Sequence, residues 1–155
     1  MKDRLIEKMY EHTKQPYQKY FKRNKPWDID KTTLLTYPAE SLGFGLGTFL
    51  AKNQFDIQPK LEDHDIIHVL TNTGISVREE IGMQYYLLGN GKKSLYLFLV
   101  ISSGTLFYPK QINYFIQQYK RGQQALPFYY LDFSKMLHTP IQSIQKTFNI
   151  QNHEN

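Results

Sequence analysis

Leu61–Glu80 reads LEDHDIIHVLTNTGISVREE, and the fold of the chain turns on how that stretch is parsed. Its first ten residues place Ile66, Ile67 and Leu70 at three- and four-residue spacing, the period of one helix face. TNTGI then supplies a stop. SVRE reads as a capping box, with Ser76 at the N-cap and Glu79 at N3, so a second helix starts here. Two helices joined by a short polar loop make an αα unit. Few windows of the sequence alternate with the period of two that a strand needs.

Working outward, the same punctuation recurs. DRLIEKMYEHTK is a short amphipathic helix ended by Pro16. PAESLGFGLGTFLAKN, 38–53, opens on proline at a first helical position and carries Gly43, Gly45 and Gly47. Each glycine inside a helix costs about 1 kcal/mol relative to alanine, so three of them imply close approach by another helix or by a ligand. The helix after Ser76 runs to the GNG stop at 89–91. KKSLYLFLVI reads as a largely buried helix. PKQINYFIQQYKRG starts at Pro109 and stops at Gly122. FYYLDFSKML is a further helical segment, and the last helix starts with Thr139 as cap and Pro140 at N1. The expectation is an all-α, single-domain bundle of about seven helices spanning 1–155, with no repeat or composition shift to divide it.

Composition agrees with one globular core. The chain has 155 residues, 41% of them apolar, with 12 Tyr and 10 Phe, which is globular rather than disordered. There is no cysteine. A disulfide framework and a thiolate nucleophile are excluded, and any metal must be held by His, Asp and Glu. MKDRLIEKMYEH has no apolar core of a secretory signal. The longest apolar run, LYLFLVI, is far short of the roughly 20 residues that cross a bilayer.

The net charge is +5, and residues 1–31 hold nine Lys/Arg against five Asp/Glu. KYFKRNKPW, 19–27, interleaves Lys22, Arg23 and Lys25 with aromatic residues that include Trp27. Such a patch suits anionic lipid headgroups or is an ordinary solvated surface. No Gly-rich phosphate loop or nucleic-acid-binding signature accompanies it, so nucleic acid is the weaker partner.

The chemistry concentrates in His64–Glu80. With His64 at 0°, a helical turn of about 100° per residue puts Asp65 near 100° and His68 near 40°. Two imidazoles at i and i+4 can offer two nitrogens to one metal ion. An adjacent carboxylate can ligate or orient an imidazole. A distant ligand comes from Glu79 or Glu80. The cap occupies Glu79, so Glu80 is the candidate, and the positive end of its helix favours the ionised form. Taken alone, two histidines four apart are more often structural or exposed. His12, His138 and His153 have no acidic or histidine neighbour at helical spacing and read as ordinary residues.

Read whole, His64-Asp65-x2-His68-x11-Glu80 resembles the metal motif of the COQ-four family of ubiquinone (coenzyme Q) biosynthesis proteins. YPAESLGFGLGTFLAKNQ, EEIGMQYYLLGNGKKSLYLFLV and YKRGQQALPFYYLDFSKMLHTPIQSIQKTFNI are similar to segments of the same family, so the likeness covers 36–150. Two positions depart. Asn72 stands where glycine is common, and Glu79 precedes the motif glutamate where glycine is frequent.

The resemblance implies an all-α fold and a divalent metal, zinc, at His64, Asp65, His68 and Glu80. It implies a prenyl-lipid substrate, peripheral membrane contact, and association with other quinone-biosynthesis enzymes, and it leaves room for a homodimer. The implied chemistry is loss of the C1 carboxyl group from a polyprenylated hydroxybenzoate. Asp65 then acts as a proton carrier, Gly43, Gly45, Gly47 and Leu97 line an apolar groove, and Lys22, Arg23, Lys25 and Trp27 face the membrane. Without an organellar extension, a bacterial relative in the cytoplasm, held peripherally at the membrane, is the expectation. Two other readings stay open: a non-catalytic lipid-binding scaffold with a structural metal, and a metal-dependent hydrolase.

Overall fold

The structure, a computed structural model, describes residues 25–152. Seven α-helices follow in order: α1 (Lys31–Leu34), α2 (Leu42–Lys52), α3 (Glu62–Thr71), α4 (Val77–Gly89), α5 (Leu95–Phe107), α6 (Ile112–Gln124) and α7 (Ile141–Phe148). Single 3-10 turns lie at Pro109–Gln111 and Phe133–Met136. Among the described residues there is no strand, and the fold is all-α. The expected helix over 3–14, His12, His153, and Lys22 and Arg23 lie outside the described residues.

The helix starts follow from local chemistry. Ser41 caps α2 by accepting from Phe44 N at 3.2 Å. Pro38 instead opens the preceding turn, where its carbonyl accepts from Ser41 N at 2.8 Å. The first two free N–H groups of α2 are met from the other end of the chain: Leu42 N donates to Thr139 O at 2.9 Å and Gly43 N to Leu137 O at 2.8 Å. Ile141 N answers by donating to Glu40 O at 2.9 Å. This bridge between Ser41 and Pro140 ties the start of α2 to the start of α7. It also takes the Thr139 carbonyl, so Pro140 is the N-cap residue and α7 begins one position later than the sequence suggested.

The main core gathers Leu42, Leu46 and Leu50 of α2, Ile66, Ile67 and Leu70 of α3, and Met83, Tyr86 and Leu87 of α4. Residues at i, i+4 and i+8 on α2 form one apolar stripe. α4 and α6 make the closest crossing. A Cβ built at Gly122 would overlap the carbonyl of Tyr86, and one built at Gly89 would overlap the carbonyl of Tyr119. Only hydrogen fits between these backbones.

Three further expectations are corrected. The first concerns α5, which is not buried: Leu95 is 67% exposed, Leu99 60% and Leu106 75%, with Phe98 at 47%. Only the side carrying Leu97, Val100 and Gly104 is covered. Gly104 lies against Ile81 of α4, and Tyr85 Oη and Thr105 Oγ1 share a hydrogen bond of 2.6 Å. Among the described residues no side chain is packed over the opposite side, which carries Leu95, Phe98, Leu99 and Leu106.

FYYLDFSKML is also not an α-helix. Asp132 accepts from Ser134 Oγ at 2.5 Å and from Lys135 Nζ at 2.9 Å, local bonds that compete with helix formation. Phe128 N is drawn away to Asn90 Oδ1 at 2.9 Å. Asn90 also donates to the carbonyls of Gly122, Ala125 and Leu126 at 3.1–3.3 Å. The segment after α6 is therefore fastened to the end of α4 by a single buried amide.

The third correction is the glycine-bearing helix. The space beside Gly43 is filled by the Tyr37 ring, beside Gly45 by Ile141 and Val69, and beside Gly47 by Leu34 and Leu35. Leu97 is fully buried in the main core. These four positions assigned to an apolar groove are packing positions, closed by the chain's own side chains.

Candidate metal centre

α3 has no side-chain cap, but Glu62, Asp63 and Asp65 occupy its first turn, where carboxylates favour the positive end of the helix. It ends at Asn72, which takes the left-handed conformation at φ 51°, ψ 44°. Glycine or asparagine suits that position, so asparagine fills the role at the departure from the family pattern. The chain then reaches Ser76, where both halves of the capping box form: Ser76 N donates to Glu79 Oε2 at 3.1 Å, and Glu79 N to Ser76 Oγ at 3.3 Å. The Glu79 carboxylate folds against Gly74 and is spent in the cap. One residue on, Glu80 projects toward α3.

The result is a buried trio. Glu80 Oε2 is 3.2 Å from His64 Nε2, and Glu80 Oε1 is 3.2 Å from His68 Nε2. One ligand atom from each of the three residues lies within 4.8 Å of the others. The His68 side chain is 1% exposed, His64 13% and Glu80 11%. Phe49 of α2 stacks on the His68 ring, with centroids 5.3 Å apart, and the two imidazoles meet edge to face at 4.8 Å.

The far nitrogens are also engaged. His64 Nδ1 is 3.4 Å from Asp65 Oδ1, and His68 Nδ1 donates to the carbonyl of Thr73 at 3.1 Å. Each ring thus has a partner behind it and its Nε2 in front, the arrangement that fixes imidazole ligands in metal sites. Asp65 stands behind His64, apart from the two Nε2 atoms and the Glu80 carboxylate.

Electrostatics favour an ionised carboxylate. Burial alone would raise the Glu80 pKa, but His64 and then His68 outweigh it and hold the carboxyl well below its ordinary 4.5. Burial likewise opposes charge on His64, and Glu80 and Asp65 overcome it, lifting the imidazole above 6.5. The His68 Nε2 atom is buried and close to Glu80 but misaligned for a hydrogen bond. A buried nitrogen left in this way costs about 1–3 kcal/mol. A divalent cation among the three donors would satisfy it and replace the His64 proton. Two imidazoles and a carboxylate suit zinc and also several first-row ions, so the residues fit the implied group. Among the described residues no second cluster of this kind is found.

Of the remaining sequence candidates, Lys25 is exposed. Trp27 is half-buried: its side chain packs against the main core, and its backbone N–H donates to the Glu62 carboxylate, itself buried, at 2.9 Å. His138 stacks on Tyr37 at 4.3 Å, a structural role. Sequence reasoning missed Phe49 and the Thr73 carbonyl. No side-chain pattern marks a backbone oxygen.

The structure is thus an all-α domain whose His64, His68 and Glu80 could together hold a metal ion. The family described as coenzyme Q (ubiquinone) biosynthesis protein Coq4 matches residues 51–154, well over half of the chain, and the chain belongs to that family. A crystal structure of a candidate ubiquinone biosynthesis protein from Nostoc punctiforme shares the fold. It superposes with a TM-score of 0.68 at 16% identity, over 89% of this chain and 75% of that one. No curated protein matches the sequence significantly. Among the described residues no helix is long and apolar enough to cross a membrane.

Proposed function

We propose that this protein performs a metal-dependent step of ubiquinone biosynthesis on the C1 carboxyl group of a polyprenylated hydroxybenzoate or a related prenyl lipid, with zinc or another divalent ion at His64, His68 and Glu80. The observation that carries the reading is the convergence of three donor atoms within 4.8 Å at a family motif. A divalent cation there supplies Lewis acidity toward the substrate's carboxylate and ring oxygen. The C1–carboxylate bond breaks, carbon dioxide leaves, and the electron pair stays on C1, which takes up a proton. With His64 Nε2 given to the ion, Asp65, 3.4 Å from His64 Nδ1, is the chain's own group to carry that proton. Glu80 stays ionised and keeps both imidazoles turned inward.

Peripheral membrane contact is part of the proposal. Leu95, Phe98, Leu99 and Leu106 form the exposed side of α5, with Lys93 and Lys110 exposed beyond its two ends. An apolar helix face flanked by cations suits an anionic bilayer, and Lys25 adds charge. Association with other quinone-biosynthesis enzymes is carried over from the family resemblance alone.

The test supplies purified, metal-loaded protein with a prenylated hydroxybenzoate in anionic vesicles and follows carbon dioxide release. Release lost in His68→Ala supports the enzyme. Metal content and vesicle binding without turnover favour the scaffold reading, in which the ion only joins α3 to α4. Vesicle binding unchanged in a Leu99→Lys, Leu106→Lys double variant overturns the α5 contact.

A further inference from the structure

Residue 73 grips His68 from two directions. Thr73 N donates to the His68 carbonyl at 3.1 Å, and the Thr73 carbonyl accepts from His68 Nδ1 at 3.1 Å. What holds residue 73 is a pair of buried hydroxyls. Thr71 Oγ1 donates to the Ile67 carbonyl at 2.7 Å, which uses its proton. In the 2.7 Å contact between Thr71 Oγ1 and Thr73 Oγ1, Thr73 is therefore the donor. Thr71 is fully buried and Thr73 is 7% exposed. The relay runs from Thr73 through Thr71 into the last turn of α3.

The backbone needs such a fastening. Asn72 between the two threonines is left-handed, so the chain reverses sharply and residue 73 falls back over the helix that carries the histidine. A loop free to rock would move the Thr73 carbonyl. His68 Nδ1 would lose its acceptor, and the ring could carry its proton on either nitrogen. A neutral imidazole offers a lone pair to a cation only at the nitrogen without the proton.

We infer that the Thr71–Thr73 hydroxyl pair positions His68: it locks the carbonyl that receives the Nδ1 proton and so leaves Nε2 as the lone pair turned toward Glu80 and the cation. Both threonines are positioning residues, acting through a backbone oxygen. The inference rests on the metal reading for its consequence, but the ring's proton position tests it without any ion.

The test uses the full-length chain, with zinc alone as the probe. Thr73→Val keeps the shape and removes the donor, and Thr73→Ser keeps the donor and removes a methyl group. Zinc affinity is measured by chelator competition and folding by circular dichroism. The His68 ring is read by nitrogen NMR on metal-free protein at alkaline pH, where imidazoles are neutral. Thr73→Val should weaken zinc binding by about 10–100-fold, the usual effect of removing support behind an imidazole ligand. It should also convert a single Nδ1–H form into a mixture, and Thr73→Ser should restore both readouts. A folded Thr73→Val with parental affinity and a single Nδ1–H form would overturn the inference and leave the hydroxyls as turn packing. Equal loss in Thr73→Ser would assign the effect to the methyl group and overturn it as well. A parent chain that takes up no zinc removes the metal reading, while the NMR comparison still decides the role of the pair.

Discussion

Adjacent glutamates with opposite duties can be separated by one pair of variants. Glu79 makes two contacts with Ser76 N and Oγ and anchors the first turn of α4. It touches neither imidazole by any contact described above. Glu79→Ala therefore removes a capping contribution of about 1 kcal/mol. For a domain of this size that lowers the melting temperature of metal-free protein by about 2–4 °C, with metal uptake unchanged. Glu80→Gln keeps the shape and removes the charge. In the metal-free protein it deletes the charge-assisted contact to His64, worth about 1.5–3 kcal/mol. With metal present it also removes an anionic ligand. Thermal unfolding with and without chelator, together with elemental analysis, reads both effects. Metal uptake of about one ion per chain is expected for the parent and Glu79→Ala, and strongly reduced uptake for Glu80→Gln. If Glu79→Ala empties the site while Glu80→Gln keeps it filled, the division of labour set by the cap is wrong.

Other outcomes follow from the same structure. In metal-free protein the His64–Glu80 pair stabilises the fold between two limits. The raised His64 contributes fully below 6.5 and is lost as pH rises through its folded value. The lowered Glu80 contributes above 4.5 and is lost as pH falls through its own. Melting temperatures of the parent minus those of Glu80→Gln, followed against pH, should be largest between those limits. Zinc affinity should fall on acidification through a midpoint above 6.5, because the ion competes with the His64 proton, and calorimetry in several buffers would register the released proton. Gly122→Ala puts a methyl group against an immovable carbonyl of Tyr86. Overpacking of about 1–3 kcal/mol should exceed the roughly 1 kcal/mol gained in helix propensity, seen as a lower denaturant midpoint. Asn90→Ala leaves the buried Phe128 N–H without its acceptor, at about 1–3 kcal/mol, with a matching fall in thermal stability.

What could be read from the chain was local. The period of Ile66, Ile67 and Leu70, the Ser76–Glu79 box and the shared face of His64 and His68 all lie within a few residues, and the helix itself enforces them. The choice of Glu80 over Glu79 as the residue facing α3 followed from the same cap. Features that needed distant partners were not legible. LYLFLVI is apolar all round, so it has no phase to say which side meets α4 and which stays bare. Phe128 leaves helical geometry because of an amide 38 residues away. The Gly43–Gly47 stripe signals close approach without saying whether Tyr37, Ile141 or a lipid does the approaching. Sequence also cannot display the Thr73 carbonyl, since every residue carries one.

Asn90 is followed by Gly91, the pairing in which an asparagine side chain is most readily attacked by the next backbone nitrogen. That reaction closes a ring, expels ammonia and leaves aspartate or an isomerised backbone. In the folded chain it is blocked: the amide is fixed by four backbone partners, and Gly91 N is committed to Leu88 O at 3.1 Å. Unfolded, nothing protects it. A chain that ages in that state would return with a carboxylate facing the carbonyls of Gly122, Ala125 and Leu126, where only a donor is accepted. The residue that fastens the end of α4 to the segment after α6 is thus also a clock, and time spent unfolded is recorded there irreversibly.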